Sequence, residues 1–574
     1  MNAGAQGIET LSGEELTSAS SSTIVICGAG IGAWMAASYL RQQHPELEVV
    51  VVGPTPREER RPVVGESLIE ISTLFFRRIG MGVYLKSHLM KKYGLTFYYK
   101  LGQQNDLNLY STHAGTEAPK HMAYQLNRHI FDPRLRLQAM ELGATFLHGR
   151  VRNTEISEDG SPHRVLVEQA NGKRTEIQAT YVIDASGRSR VVGRQATEYV
   201  KPPIQRSTFW IRLAEFRPFL GDMKLQMRKP HDYDLWQTTH HFMGKGYWIW
   251  AIPISSPNYH NAISLGITYD PGVITEPIRT LDDALAHFDT HHPELSAMVR
   301  SGKVLDENRY FNYMYSAREF YSTNRWFLIG DTARTFDPLY SFGLSMLSIQ
   351  IEQVSEMIGL DRRNNLTHKE VDSFADAWTQ VTAALEQEIA EQYPRLGDPY
   401  QAHLFRYWGV IKFFNGMLPA WYNGLLRNPR TARLFRRLAG SAQAQQVDAV
   451  AMDLFNRTSV AIGEKSQDKI NQTLDFDDAL NHDFDCQPRD LPKVLGRGLR
   501  LQARLLWNVW RQLHNATPSW PNLRYLPVIA RTQVIGSLMP ILLAPFCGWL
   551  LRDCEPVKVI DASNRQIAKQ PVAI

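Results

Sequence analysis

Signatures of metal binding and disulfide stapling are missing from this chain. Its four cysteines, Cys27, Cys486, Cys547 and Cys554, form no Cys-x-x-Cys pair and have no histidine at zinc spacing. No metal site is therefore expected, and a reduced, cytoplasmic setting follows. Charge of one sign is also scarce, at a net +5 over 574 residues, too little to demand a nucleic-acid partner. No internal repeat is evident. The leading stretch MNAGAQGIETLSGEELTSASSS has neither a basic region nor an apolar run, so it does not read as a secretory signal. Residues 1–21 read as a disordered lead. What remains is ordinary globular composition, 44% apolar and 21% charged, long enough for two or three domains.

Long hydrophobic runs are limited to one. TQVIGSLMPILLAPFCGWLL, residues 532–551, carries no charge and is bracketed by Arg531 and Arg552. Its length suits a membrane-spanning helix, but Pro540, Pro545, Gly536 and Gly548 argue against an uninterrupted one. Three readings stay open: a buried packing segment or lid, a contact with a membrane surface, and a true span.

STIVICGAGIGAWMAASYL (residues 22–40) reads as a β-branched strand, a glycine turn and a helix beginning near Ile31. Gly28, Gly30 and Ala33 have the spacing of the dinucleotide-binding Rossmann fingerprint. Gly28 permits the tight turn, Gly30 lets backbone approach a pyrophosphate, and the helix N-terminus attracts the anion. One part is lacking: the second strand, LEVVVVGPTP, ends in Gly53 where an acidic residue would hold the ribose, and Glu58 is a possible substitute. No second fingerprint appears later.

TYVIDASGRS (residues 180–189) and RWFLIGDTARTFDPLYSFG (residues 325–343) are strands running into polar turns, and they suit one nucleotide fold interrupted by a second domain. In GYWIWAIP, Trp248 and Trp250 fall on one face of a strand, Ile249 and Ala251 on the other, with Pro253 near its end. By itself that is a half-buried strand with inward aromatics.

Together these segments resemble the flavin-dependent halogenases of the flavin monooxygenase superfamily, from about residue 22 to about residue 360. The resemblance rests on Gly28-x-Gly30-x-x-Ala33, on Trp248-x-Trp250-x-Ile252-Pro253, on VGESLIEISTLFFRRIGM (residues 64–81), on the Arg128 helix in YQLNRHIFDPRLRLQAMELGATF and on Gly330-Asp331. It implies an α/β fold: a Rossmann-type FAD-binding domain over residues 22–365, interleaved with a β-sheet substrate domain over roughly 90–125 and 200–320. A mostly helical C-terminal region follows over 366–574. It implies that Asp331 contacts the ribityl chain, that Arg128 lies near the flavin, with Asp132 in the same helix, and that Trp248 and Trp250 sit beside the isoalloxazine. A Gly-Glu-Ser helix start places Glu66 at the flavin edge. Activity would be FADH2- and O2-dependent halogenation of an electron-rich aromatic, with chloride or bromide, through a flavin hydroperoxide and hypohalous acid. The alternative is an aromatic hydroxylase on the same fold, and a non-enzymatic flavin-binding scaffold is a third reading.

In LMKKYGLTFYYK the resemblance counts back five residues from Phe97 to Lys92 as the residue that directs the oxidant; Lys91 is the neighbouring alternative. Burial would help such an amine by lowering its pKa. The loop reads Asp337-Pro338-Leu339-Tyr340-Ser341-Phe342-Gly343, where the tryptophan-modifying branch has a second glutamate in place of Tyr340. Phenols, pyrroles or acyl-carrier-bound aromatics are thus favoured over free tryptophan. Phe342 stands next to Gly343, whose amide belongs to the halide site, and either crowds or reshapes it. A separate NAD(P)H-dependent flavin reductase is the implied partner. The C-terminal stretches, including GRGLRLQARLLWNVWRQLHN, are aromatic and basic. They either cover the substrate cleft or offer Arg497, Arg500, Arg504 and Arg511 to an acidic carrier protein or anionic lipid.

Overall fold

The computed structural model describes residues 22–54, 63–100, 102, 107, 110–115, 117–220, 232–462, 480, 484–517 and 520–559. Five strands form a parallel sheet in the order Trp326–Leu328, Tyr181–Asp184, Thr23–Cys27, Glu48–Gly53, Thr145–His148. TIVIC and EVVVVG are β-branched and almost wholly buried, as strands covered on both faces must be. Helix Ile31–Gln43 packs with helices Arg128–Glu141 and Gly343–Arg362. An antiparallel sheet of Arg150–Glu155, His163–Glu168 and Arg174–Ala179 lies against the parallel strands.

The second large sheet has seven strands, in the order Lys303–Tyr310, Ser207–Ala214, Ala262–Tyr269, Tyr247–Ile254, Thr239–Gly244, Leu95–Tyr99, Ser111–His113. Its strands lie within 95–113 and 207–310, while Met90–Lys92 and Ala123–Gln125 pair with each other outside it. Alternation along Tyr247–Ile254 sorts its residues as read from sequence. Ile249 and Ala251 join one apolar cluster; Trp248 and Trp250 join another with Phe97, Tyr99, Leu339 and Tyr393. Both faces are buried, so the strand is not half-exposed. Pro253 does not end it either, because pairing to Thr239–Gly244 has already stopped at Ala251 and Pro253 faces only Ile263. A missing N–H costs nothing where no ladder needs it.

The C-terminal region is helical, as expected. His368–Gln392 and Pro399–Lys412 are followed by a π-helical turn, Phe413–Met417. Ala442–Ile462, Leu491–Ala516 and Leu526–Leu550 complete it. Pro540 and Pro545 do not interrupt the last helix. Its packing on Leu491–Ala516 outweighs a proline penalty of about 3 kcal/mol each. The two helices meet backbone to backbone: a Cβ added at Gly496 would stand 2.6 Å from the Gly536 carbonyl oxygen and 3.1 Å from Pro540 Cδ. Residues Asn522–Leu543 are long and apolar enough to cross a membrane. The reading of 532–551 as buried packing fails for its outer face, where Ile541 is 68% and Phe546 57% exposed.

Candidate functional site

The glycine turn is built as its spacing required. Gly28 has φ +116, and a Cβ there would lie 2.5 Å from the Ala185 carbonyl oxygen, so only glycine fits between the strands. The Gly28 amide donates to the Val52 carbonyl at 2.7 Å. Gly30 precedes helix Ile31–Gln43 in extended conformation, and its missing side chain would point into open space. Ala33 is buried in that helix. Gly53 is explained by contact: a Cβ there would meet the Ala29 Cβ at 2.3 Å. An acidic side chain cannot stand at that strand end, and Glu58 lies outside the described residues.

Arg128 opens helix Arg128–Glu141 and is buried, not a solvated helix charge. Its Nε and Nη2 donate to the two carboxylate oxygens of Asp132 at 2.6 and 2.9 Å, and Nη1 donates to the Val64 carbonyl at 2.7 Å. Glu66 and Asp331 both act on this guanidinium electrostatically. Asp331 lies in the short 3-10 turn Gly330–Thr332 with its side chain accessible. An open glycine cradle at a helix N-terminus fits the phosphates of a dinucleotide.

The Gly-Glu-Ser segment is not a helix start; the helix begins at Glu70. Residues 66–68 instead lie along Ala123–Gln125: Ser67 bridges Gln125, Leu126 N donates to Glu66 O at 2.6 Å and Leu68 N to Tyr124 O at 3.0 Å. Gly65, with φ +94, turns the chain into that alignment, which is why no helix forms there. Met90–Lys92 also pairs with Ala123–Gln125. One three-residue strand thus sets Glu66 and Lys92 on the same scaffold.

Lys92 is 2% exposed, while Lys91 faces solvent. Lys92 Nζ donates to Ser67 Oγ at 2.8 Å and to the Leu68 carbonyl at 2.7 Å. Burial lowers its pKa to about 7, against the opposing pull of Glu70. Glu66 is likewise buried, with Oε1 lacking a hydrogen-bond partner, and burial lifts its carboxyl to about 7 despite the Ser264 hydroxyl, Arg212 and Arg128 nearby.

The two tryptophans are anchored by their nitrogens. Trp248 Nε1 donates to the Tyr393 hydroxyl at 3.1 Å and Trp250 Nε1 to Ser264 Oγ at 3.2 Å, with ring centroids 5.7 Å apart. Tyr393 in turn donates to Asp337 Oδ2 at 2.6 Å, which also accepts from Arg206 Nε at 2.9 Å. The Arg206 guanidinium lies 3.4 Å over the Tyr393 ring centroid. Arg206, Tyr393 and Thr239 carry no motif; Ser67 is the serine of the Gly-Glu-Ser segment, whose spacing gives no sign of its bond to Lys92. Only the Trp248 and Asp337 ends of this network have a sequence signal.

After Asp337 the chain turns through Ser341, whose φ of +61 is unusual for a residue with a side chain. Gly343 begins the next helix with clear space where a side chain would be. The Phe342 ring packs 5.7 Å from Phe413 and 6.3 Å from Tyr340. The Tyr340 hydroxyl donates to Gln392 Oε1 at 2.8 Å. Lys92, Phe97, Tyr340 and Phe342 line one end of a cavity of about 1410 Å³. Glu66, Trp248, Trp250 and Asp331 are not part of its wall. Among the described residues no cluster of potential metal ligands occurs.

Comparison with known proteins agrees with this geometry. A solved structure of halogenase PltM superposes with a TM-score of 0.59 over 84% of this chain and 96% of that one, at 16% identity, so the fold is shared. The flavin-dependent halogenase chlA of Dictyostelium discoideum is 28% identical over 520 residues, 84% of this chain and 85% of its own length. The 1H-pyrrole-2-carbonyl-[peptidyl-carrier protein] chlorinase of Pseudomonas fluorescens is 28% identical over 344 residues, 56% of this chain and 72% of its own. The tryptophan halogenase family model matches residues 100–386, half of the chain. With a Rossmann turn, a Trp-x-Trp strand and a buried lysine in one fold, the chain belongs to the tryptophan halogenase family, enzymes that work with FAD.

Proposed function

We propose that this enzyme halogenates an electron-rich aromatic with chloride or bromide, and that Lys92 directs the oxidant to the ring. The observation that carries this reading is Lys92 itself: an amine at the wall of a large cavity, held by Ser67 and Leu68, with its pKa brought to about 7. Reduced FAD, with dioxygen and a halide, supplies hypohalous acid. Gly28, Gly30, Ala33, Arg128 and Asp331 would hold FAD. Lys92 then receives the acid by hydrogen bonding or as a haloamine, and a neutral amine near pH 7 serves either role. Glu66, with a carboxyl near 7, takes up or releases a proton beside Arg128 at neutral pH. Ser341 and the amide of Gly343 shape the halide site. Tyr340 supplies no carboxylate to assist the lysine, so the substrate ring must itself be electron-rich.

A separate flavin reductase delivers the reduced cofactor, and the aromatic is taken free or on a carrier. The C-terminal helix pair supports contact with an anionic lipid surface at the cytoplasmic face of a membrane. Arg497, Arg500, Arg504 and Arg511 recur with Trp507 at three- and four-residue spacing, next to the exposed apolar stripe of Leu526–Leu550. Arg497, Arg500 and Arg504 share a groove with Leu526, Ile529 and Ala530, and Ile541, Leu542 and Phe546 stand exposed further along the same helix, a combination that suits anionic headgroups over an apolar interior.

The test supplies purified protein with FAD, a flavin reductase, NADH, bromide and a phenol, with Lys92→Ala in parallel. A product carrying the bromine isotope pair, absent in the variant, is the expected result. An oxygenated product without halogen would replace this reading with the hydroxylase.

A further inference from the structure

The cavity beside Lys92 is far larger than a single ring needs. At about 1410 Å³ it exceeds the roughly 300–1,000 Å³ of sites that take drug-sized ligands. From Lys92 and Phe342 it passes the π turn at Phe413–Met417 and ends at Leu495, Leu499, Ile535 and Met539 on the last two helices. Its wall is mainly carbon, with side-chain amides such as Gln380, Gln387, Gln443 and Gln445 in the minority, and the cations Lys412 and Arg406 along it are matched within the protein. Lys412 Nζ donates to Asp448 at 3.1 Å and reaches Glu388 at 3.5 Å, while Arg406 bonds Tyr99 and His113.

A bare phenol at Lys92 would leave most of this apolar wall facing water, which forfeits the free energy of burying it. A pantetheine arm would bring amides and a hydroxyl that need hydrogen bonds along their length. An alkyl or acyl chain needs none. We infer that the substrate, under the halogenase reading above, is an aromatic ring bearing a long apolar chain, with the ring at Lys92 and the chain running toward Ile535 and Met539. Helix Leu526–Leu550 then forms the far wall for the chain and, on its other side, an apolar outer surface. The enzyme is thereby built for amphiphiles.

The test measures equilibrium binding of 5-alkylresorcinols of increasing chain length to the oxidised FAD-loaded protein, and bromination of the same series by the complete system. Each methylene buried in the cavity tightens binding roughly fourfold, so the dissociation constant is expected to fall by about two orders of magnitude from methyl to pentyl and to level off only at the longer chains that reach the far wall. Met539→Trp, at a half-buried position with its melting temperature checked, moves that levelling to shorter chains. A dissociation constant independent of chain length, with the methyl compound still brominated, overturns the apolar-chain inference and leaves the halogenase intact. Binding only of a carrier-thioester-linked phenol overturns it equally. Failure to brominate any member while the chain-length dependence of binding persists would instead strike at the halogenase reading.

Discussion

Lys92 Nζ lies 2.8 Å from the Ser67 hydroxyl, which is itself 2.9 Å from the hydroxyl of Thr239. Ser67 thus positions the amine and, as an acceptor, favours its charged form. Ser67→Ala is expected to lower the Lys92 pKa below about 7 and shift the alkaline-rising limb of the halogenation rate to lower pH. Lys92→Met is expected to cut halogenation by roughly 10²–10⁴-fold while flavin reoxidation continues as hydrogen peroxide release. Parallel pH–rate profiles check both; an unmoved limb in Ser67→Ala would remove its positioning role.

Glu66 and Lys92 give stability opposite slopes on either side of neutrality. Glu66 titrates near 7 when folded against an ordinary 4.5, so the folded state holds the extra proton and its stabilising contribution declines as pH rises from about 4.5 to about 7. Lys92 titrates near 7 against an ordinary 10.5, so the unfolded state holds the extra proton and stability climbs from about 7 to about 10.5. The falling limb is on the order of 3 kcal/mol; the rising limb is shared with Glu70, whose carboxylate pulls the Lys92 pKa the other way. Denaturant titrations across pH are expected to lose the falling limb in Glu66→Gln and the rising limb in Lys92→Met.

Gly53 is held by contact with Ala29. Gly53→Ala places a methyl 2.3 Å from the Ala29 Cβ, an overpacking expected to cost about 1–3 kcal/mol and to displace the turn that cradles FAD. Ala29→Gly in the same chain removes the nearest clash and is expected to recover part of the loss. Thermal melting and FAD retention on gel filtration read it out; an indifferent single variant would mean that the turn can shift freely.

Asp337→Asn leaves the buried Arg206 without its carboxylate partner, although Tyr393 and Asp270 remain near it. A loss of about 3–5 kcal/mol is expected, as for a broken buried ion pair. Because Tyr393 also accepts from Trp248, the near-ultraviolet circular dichroism of the tryptophans should change with it. An unchanged spectrum would uncouple the loop from the Trp-x-Trp strand.

Arg504→Glu with Arg511→Glu is expected to weaken co-sedimentation with phosphatidylserine-containing vesicles. Roughly 1 kcal/mol per basic side chain near the surface makes this at least a tenfold change for the pair. Equal binding to neutral and anionic vesicles would rule out the electrostatic part of the contact.

Local rules carried far where one backbone constraint decides. Gly28 was readable because a tight turn between two buried strands leaves a side chain no room, and the Trp248/Ile249 alternation because strand geometry has period two. Lys92 was reached only through the family resemblance, which counts back from Phe97, and its separation from Lys91 is alternation along a strand. Gly65 turned Glu66 away from helix toward pairing with residue 125, which depends on a strand almost sixty residues downstream. Pro540 stays helical where Gly496 lets the neighbouring backbone approach, a contact more than forty residues away in sequence. Arg206 and Tyr393 act through partners distant in the chain, so no spacing announces them.

The π turn at Phe413–Met417 sets the register of everything after it. Such a turn holds one residue more than the α turn it replaces, so the helix leaving it is rotated by about 100° relative to an uninterrupted α-helix. That rotation is what brings Trp421 round to donate to Glu352 at 2.8 Å. Loss of a single residue here would restore a regular helix and point the following segment at a different neighbour, so chain length at this turn is under tighter constraint than the identity of its side chains.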